Sequence, residues 1–163
     1  SAQIRSKELD REYVCLACGD PPPLFTLKDM LVKDPKANMV RVVPAYLREG
    51  KQAVLHARTI VRREEGALVA IRLETGRAHQ IRVQMAHAGF ALKGDQRYGD
   101  EGVRAQIALW GMRLSFRHPI TGKQMVFIAP PPDTGLWTAF RREIEGLCSL
   151  WPSIPEQIPL DEV

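Results

Sequence analysis

Between residues 74 and 99 the sequence reads "ETGRAHQIRVQMAHAGFALKGDQRYG". Two Arg, a His and a Gln crowd the start of a predicted helix, and Gly-Asp and Tyr-Gly close the stretch. Positive charge at a helix N-terminus opposes the macrodipole, so propensity alone does not favour it. Backbone N–H groups point outward at the same end and attract anions. Arg77, His79, Gln80 and Arg82 therefore form a candidate anion-binding group, with phosphate as the first ligand to consider.

A second constellation is "CLAC", a C-x-x-C at Cys15 and Cys18 of the kind that holds zinc or shuttles electrons. It lies in "EYVCLACGD", which reads as a strand, and residues three apart on a strand face opposite ways. Further ligands would have to come from Cys148 and four scattered His. No metal site is expected, and three sparse cysteines fit reduced thiols in the cytoplasm.

The elements that must position these residues follow from periodicity. Residues 12–19 read as a strand stopped by Gly19 and Pro21-Pro22-Pro23. "LFTLKDMLVKD" has the spacing of a single turn or short amphipathic helix. "NMVRVVPAYL" starts as a strand cut by Pro44. "QAVLHARTIVRRE" and "ALVAIRLET", divided by a short turn, form a hairpin. Thr75 and Gly76 stand where a cap belongs, ahead of a helix from about Arg77 to Ala88 with Ile81, Met85 and Ala88 inward; Gly89 ends it. "KGDQRYGDEG" is a loop. "IALWGMRLSF" and "QMVFIAP" are strands, and "DTGLWTAFRREIEGLCSL" is an amphipathic helix with Leu136, Phe140, Ile144 and Leu147 inward. This order predicts an α+β fold, a mixed and mainly antiparallel sheet with helices packed on it, over residues 1–150. Residues 151–163 form a Pro-spaced C-terminal tail, expected to be poorly ordered.

Composition agrees with one globular domain. The 163 residues are 45% hydrophobic and 26% charged, with 23 Lys+Arg against 19 Asp+Glu. The net charge of +4 permits a nucleic-acid partner without requiring one. No apolar run approaches the ~18 residues of a membrane helix, and the charged opening "SAQIRSKELDREY" lacks a secretory signal's apolar centre.

The block "LETGRAHQIRVQMAHAGFALKGDQRYG" resembles the signature of the RluA-like RNA pseudouridine synthases, TGR-x-HQIR followed by G-D-x-x-YG. "SKELDREYVCLACGD" is similar to that family's strand with a basic residue, one spacer and Tyr. The later strands "GKQAVLHARTI" and "IALWGMRLSFRHPITGKQMVFIAPPP" are similar too. The resemblance implies a pseudouridine synthase catalytic domain. It also implies isomerisation of specific uridines in ribosomal or transfer RNA, without a metal or organic cofactor, and a target base flipped out of its stack.

By the same resemblance Tyr13 matches the Tyr that packs on the target base. Arg82 matches the basic residue that pairs with the catalytic Asp, and Ile81 the apolar residue lining the site. Arg77, His79 and Gln80 match the RNA-facing helix start, while Gly94, Asp95 and Tyr98 fit the closing loop as a structural turn. The chain departs from the pattern where the nucleophile belongs. No H-R-L-D-x-x-T-S-G stretch is found, and Leu9-Asp10-Arg11 lacks the following Thr-Ser-Gly. The chain is therefore expected to be the C-terminal part of a synthase, inactive as it stands. Gln84, "GFALKGD" and Trp110 are smaller departures. A catalytically inactive RNA-binding derivative is the alternative, and an unrelated basic interaction domain the third reading. A sheet lacking part of its domain would expose an apolar patch near Tyr13, Ile81 and Arg82, or cover it by self-association.

Overall fold

Alternating burial along extended segments builds most of the molecule. The computed structural model describes residues 9–100, 102 and 104–163. The charged opening Ser1–Glu8 lies outside the described residues, as does Glu101 of the loop.

Seven strands form one antiparallel sheet: β1 (Leu9–Ala17), β2 (Leu24–Asp34), β3 (Met39–Val43), β4 (Lys51–Arg63), β5 (Gly66–Leu73), β6 (Leu109–Arg117) and β7 (Gln124–Ile128). Their spatial order is β3-β2-β4-β5-β1-β6-β7. The first strand thus sits between the β4–β5 hairpin and the later β6–β7 hairpin. A bulge in the β1–β6 pairing follows Glu12↔Arg113 and precedes Tyr13↔Gly111.

One face of the sheet carries α1 (Gln80–His87) and the loop after it. Its core joins Phe25, Leu55, Ile71, Ile81, Met85 and Leu92, with Tyr13 packed on the margin. The opposite face carries a 3-10 turn (Gly135–Phe140) running into α2 (Arg141–Ser149), whose Phe140, Ile144 and Leu147 cover Val14, Leu16 and Leu68. Residues Cys15 and Cys18 do not form a pair. Cys15 is buried in the first core, where desolvation raises its thiol pKa, and Cys18 lies beyond the end of β1. No cluster able to hold a metal occurs among the described residues.

Three expectations need correction. "LFTLKDMLVKD" is a strand, not a helix. Its apolar Leu24, Leu27 and Leu31 mimic a helical stripe, but pairing with both β3 and β4 overrides that local pattern. The site helix begins at Gln80, because residues 75–79 wrap as a turn around the Gln80 amide. The tail is held against the sheet. Ile154 is buried, Gln157 N–H bonds Thr26 Oγ1, and a final 3-10 turn spans Leu160–Glu162.

The exposed apolar side chains meet the expectation in part. Ile81 is inside the core, whereas Val126, Phe127 and Ile128 stand open on the edge strand β7, Phe127 and Ile128 bordering the same depression as Tyr13. Among the described residues no helix is long and apolar enough to cross a membrane.

Candidate functional site

The turn before α1 is fixed from within. Thr75 Oγ1 accepts the Val54 N–H (2.9 Å) and donates to Gln80 Oε1 (2.9 Å). The same Gln80 oxygen accepts the Arg77 N–H (2.9 Å), and Gln80 Nε2 donates to Val54 O (3.1 Å). Buried Gln80 thus commits its oxygen to the turn and its amide nitrogen to β4. Gly76 takes no left-handed backbone. Its hydrogen leaves room for the Arg11 guanidinium, whose Nη2 would stand 2.4 Å from an added Cβ and would have to swing aside. The basic residue of "REY" therefore lies over the glycine of "TGR".

His79 caps α1 in the left-handed region (φ 52°, ψ 19°), an unusual conformation for a residue with a Cβ. Tyr98 holds it there. The Tyr98 hydroxyl accepts the Val40 N–H (2.9 Å) and is hydrogen-bonded to His79 Nδ1 (2.8 Å). Desolvation, then the charges of Arg82, Arg97 and Lys33, lower the His79 pKa.

Arg82 is the most constrained charge of the group. Its Nε and Nη2 donate to the two carboxylate oxygens of Asp95 at 2.9 and 3.1 Å. Its guanidinium carbon also lies 4.9 Å from the centre of the Tyr98 ring. Asp95 is fully buried and accepts the Tyr98 N–H as well. The hydrogen bond to Asp95 raises the Arg82 pKa further, so the cation is permanent. Among the described residues, its Nη1 makes no bond to a second carboxylate. The loop that bears Asp95 requires Gly94, whose φ is +81° and where a Cβ would come within 2.6 Å of Gln106 O.

The structure brings some expected site residues together and separates others. Ile81 lies inside one apolar cluster and Tyr13 packs on its margin. Tyr13 borders an open depression with Gly111, Leu114, Phe127 and Ile128, and its ring lies over Gly111. Arg82 borders a different one, with Asp95, Arg97 and Arg104. Arg77 lies on a third, beside Lys33 and Lys51, with its Nε on Gln52 O (2.9 Å). Asp10, by strand alternation, faces away from Tyr13, on the side of Glu12 and Val14. The sequence reading missed Lys33, Lys51 and the pairing of Arg82 with Asp95. The first two lie on strands distant in sequence. The third was signalled only by a carboxylate set between Gly and a Tyr-Gly pair.

Comparison with known proteins extends this picture. The family profile described as RNA pseudouridylate synthase matches residues 1–87, from the opening segment through the whole of α1. The ribosomal large subunit pseudouridine synthase D of Vibrio vulnificus is 35% identical over 146 residues, 80% of this chain and 44% of that protein. An uncharacterized RNA pseudouridine synthase of Bacillus subtilis, YlyB, is 36% identical over 138 residues, 80% of this chain and 43% of that protein. The chain spans less than half the length of these relatives. The solved structure of human RNA pseudouridylate synthase domain containing 1 superposes with a TM-score of 0.68 at 15% identity, over 95% of this chain and 71% of that one. Domain containing 4 gives 0.66 at 16% identity, over 95% and 67%. These two establish a shared fold. The profile match covers more than half of the chain and includes both the "REY" strand and the "TGRAHQIR" turn and helix, and on that ground the chain belongs to the RNA pseudouridylate synthase family.

Proposed function

We propose that this chain is the C-terminal part of the catalytic domain of an RNA pseudouridine synthase, an isomerase acting on uridine in RNA. The carrying observation is Arg82, fixed bidentately by buried Asp95 and stacked on Tyr98. A permanent cation so oriented is suited to hold a second, catalytic carboxylate in its ionised form. In the reaction the glycosidic C–N bond breaks, the uracil turns, and C5 bonds to the ribose. Atoms and oxidation level are conserved, so the chemistry calls for no redox group. Tyr13 supplies a flat apolar face for the base, on the margin of the cluster that holds Ile81. Arg77, with Lys33 and Lys51 on the same rim, and the partly exposed His79 ring serve phosphate and ribose. Gln80 contributes by holding the turn.

The nucleophilic Asp is assigned to a segment outside these 163 residues, since Asp10 faces away from Tyr13. The name of the Vibrio relative makes ribosomal RNA the first substrate to test; transfer RNA is the second, and the cytoplasm is the location proposed.

Tritium release from RNA labelled at uridine C5 tests the proposal. These residues alone should release nothing, and a longer protein supplying an H-R-L-D segment should release label. Within that longer protein, Arg82→Ala should abolish turnover while RNA affinity falls far less. Release by the 163 residues alone would place the nucleophile inside this chain. RNA binding without release by the longer protein would favour the inactive derivative.

A further inference from the structure

The face of the sheet opposite α1 carries a row of polar side chains in register across five strands. Thr26 on β2 pairs with His56 on β4, His56 with Arg72 on β5, Arg72 with Glu12 on β1, and Glu12 with Arg113 on β6. Thr26, His56 and Glu12 are buried, so each polar atom needs a partner. The sheet supplies some, such as the Arg113–Glu12 ion pair at 2.6 Å.

The C-terminal tail supplies the rest. Trp151 Nε1 donates to Glu12 Oε2, Arg72 donates twice to Ile154 O (3.1 and 3.0 Å), and Gln157 N–H donates to Thr26 Oγ1 (2.9 Å). Arg58 adds a bond to Ser153 O (2.7 Å). The contacting residues 151, 154 and 157 are three apart, the period of a polyproline helix, among Pro152, Pro155 and Pro159. Six residues of that helix rise about 19 Å. The three strand spacings from β1 to β2 total about 14 Å. The tail is long enough to cross the sheet at right angles to the strands.

The row also has an outlet. Because Thr26 Oγ1 accepts from Gln157, its proton is free to go to His56 Nδ1 (2.9 Å), and Nε2–H then donates to Glu74 Oε2 (2.9 Å). Thr26 Oγ1 and both ring nitrogens of His56 then have a partner in this relay. Glu74 immediately precedes Thr75, whose hydroxyl grips Gln80 at the start of α1. The cleft of about 380 Å³ at that turn is lined by Glu74, Thr75, Gly76 and Arg11, and also by Glu156 of the tail.

We infer that His56 is a positioning residue through which the docked tail sets the 74–80 turn on the other side of the sheet. The proposal concerns the geometry of the turn. Its consequence for catalysis rests on the function proposed above.

Amide hydrogen exchange on the 163-residue chain tests it without any RNA substrate, so failure here and failure of the functional reading are told apart. Gln157→Pro deletes the N–H that reaches Thr26 and suits the local proline-rich backbone. It should lower protection of the Glu74, Arg77 and Gln80 amides at least tenfold and leave β6 and β7 unchanged. His56→Leu should do the same, and the double variant should add little, since both cut one relay. His56→Gln, which again offers one acceptor and one donor, should restore most of the protection. Should His56→Leu fail to fold, Gln157→Pro and His56→Gln still decide. Unchanged protection at 74–80 in Gln157→Pro, or an even loss across all strands, would overturn the inference.

Discussion

Arg82 and Asp95 are joined by two parallel N–H···O bonds, 2.9 and 3.1 Å long, between a helix and the loop that follows it. The acid is completely buried and the base partly covered. Asp95→Ala should therefore leave a half-buried guanidinium without its acceptor and remove the anchor of the Tyr98 N–H. A loss of about 2–3 kcal/mol is expected, because charged hydrogen bonds and orphaned donors fall in that range. Urea unfolding of the variant checks it; a loss below about 0.5 kcal/mol, the ordinary surface value, would contradict it.

His79 should make stability pH-dependent. Burial, then Arg82, Arg97 and Lys33, lower its folded pKa below the unfolded value of about 6.5. The unfolded chain then binds the proton more readily, so stability rises with pH through this window. The contribution is complete above about pH 6.5 and disappears as pH falls through the lower folded pKa. Denaturation series between pH 5 and 8 should show this limb in the parent chain. His79→Asn, which tolerates the left-handed backbone, should flatten it.

Arg11 and Gly76 should be coupled. Gly→Ala at a compatible backbone normally stabilises by about 0.4–1 kcal/mol through the unfolded state. Here the new methyl meets the far end of the Arg11 side chain, which must swing aside, so Gly76→Ala alone should gain less than that. In an Arg11→Ala background the same change should give the full gain. A double-mutant cycle in thermal unfolding reads the difference, and additive effects would show that the guanidinium does not occupy this space.

Tyr13→Phe retains the ring that lies over Gly111 beside the apolar cluster. In the longer protein it should keep RNA affinity and lose only what the hydroxyl contributes, whereas Tyr13→Leu should reduce turnover much further. Equal damage from both substitutions would remove base stacking as the main role.

Sequence made the strands and hairpins legible where alternation was regular, as in Val54–Val61 and Leu68–Leu73, and it located α1 to within three residues. It also collected Arg77, His79, Gln80 and Arg82 into one group. It could not tell that Gln80 turns inward, because a buried amide and an RNA-facing amide share the same position in a motif. β2 misled through a stripe at three-residue spacing that its neighbours flatten into a strand. The tail misled through its prolines, which exclude regular structure without excluding order. Its partners Thr26, Arg72 and Glu12 sit on three strands far from it in sequence, so only topology brings them together.

The position of β1 has a consequence for how the chain is made. Its neighbours are β5 and β6, while β2 to β5 pair with one another in near-sequential hairpins. On a ribosome adding about 5–20 residues per second, Leu9–Ala17 waits on the order of 3–10 s before β5 has been synthesised. During that wait Val14, Cys15, Leu16 and Ala17, all buried later, have neither β5 nor β6 to join. The β2–β5 part of the sheet can close first, and its β5 edge then receives the earliest made of these seven strands. Non-local pairing of this kind slows folding and makes the early β1 segment a natural binding site for chaperones that recognise extended apolar peptide.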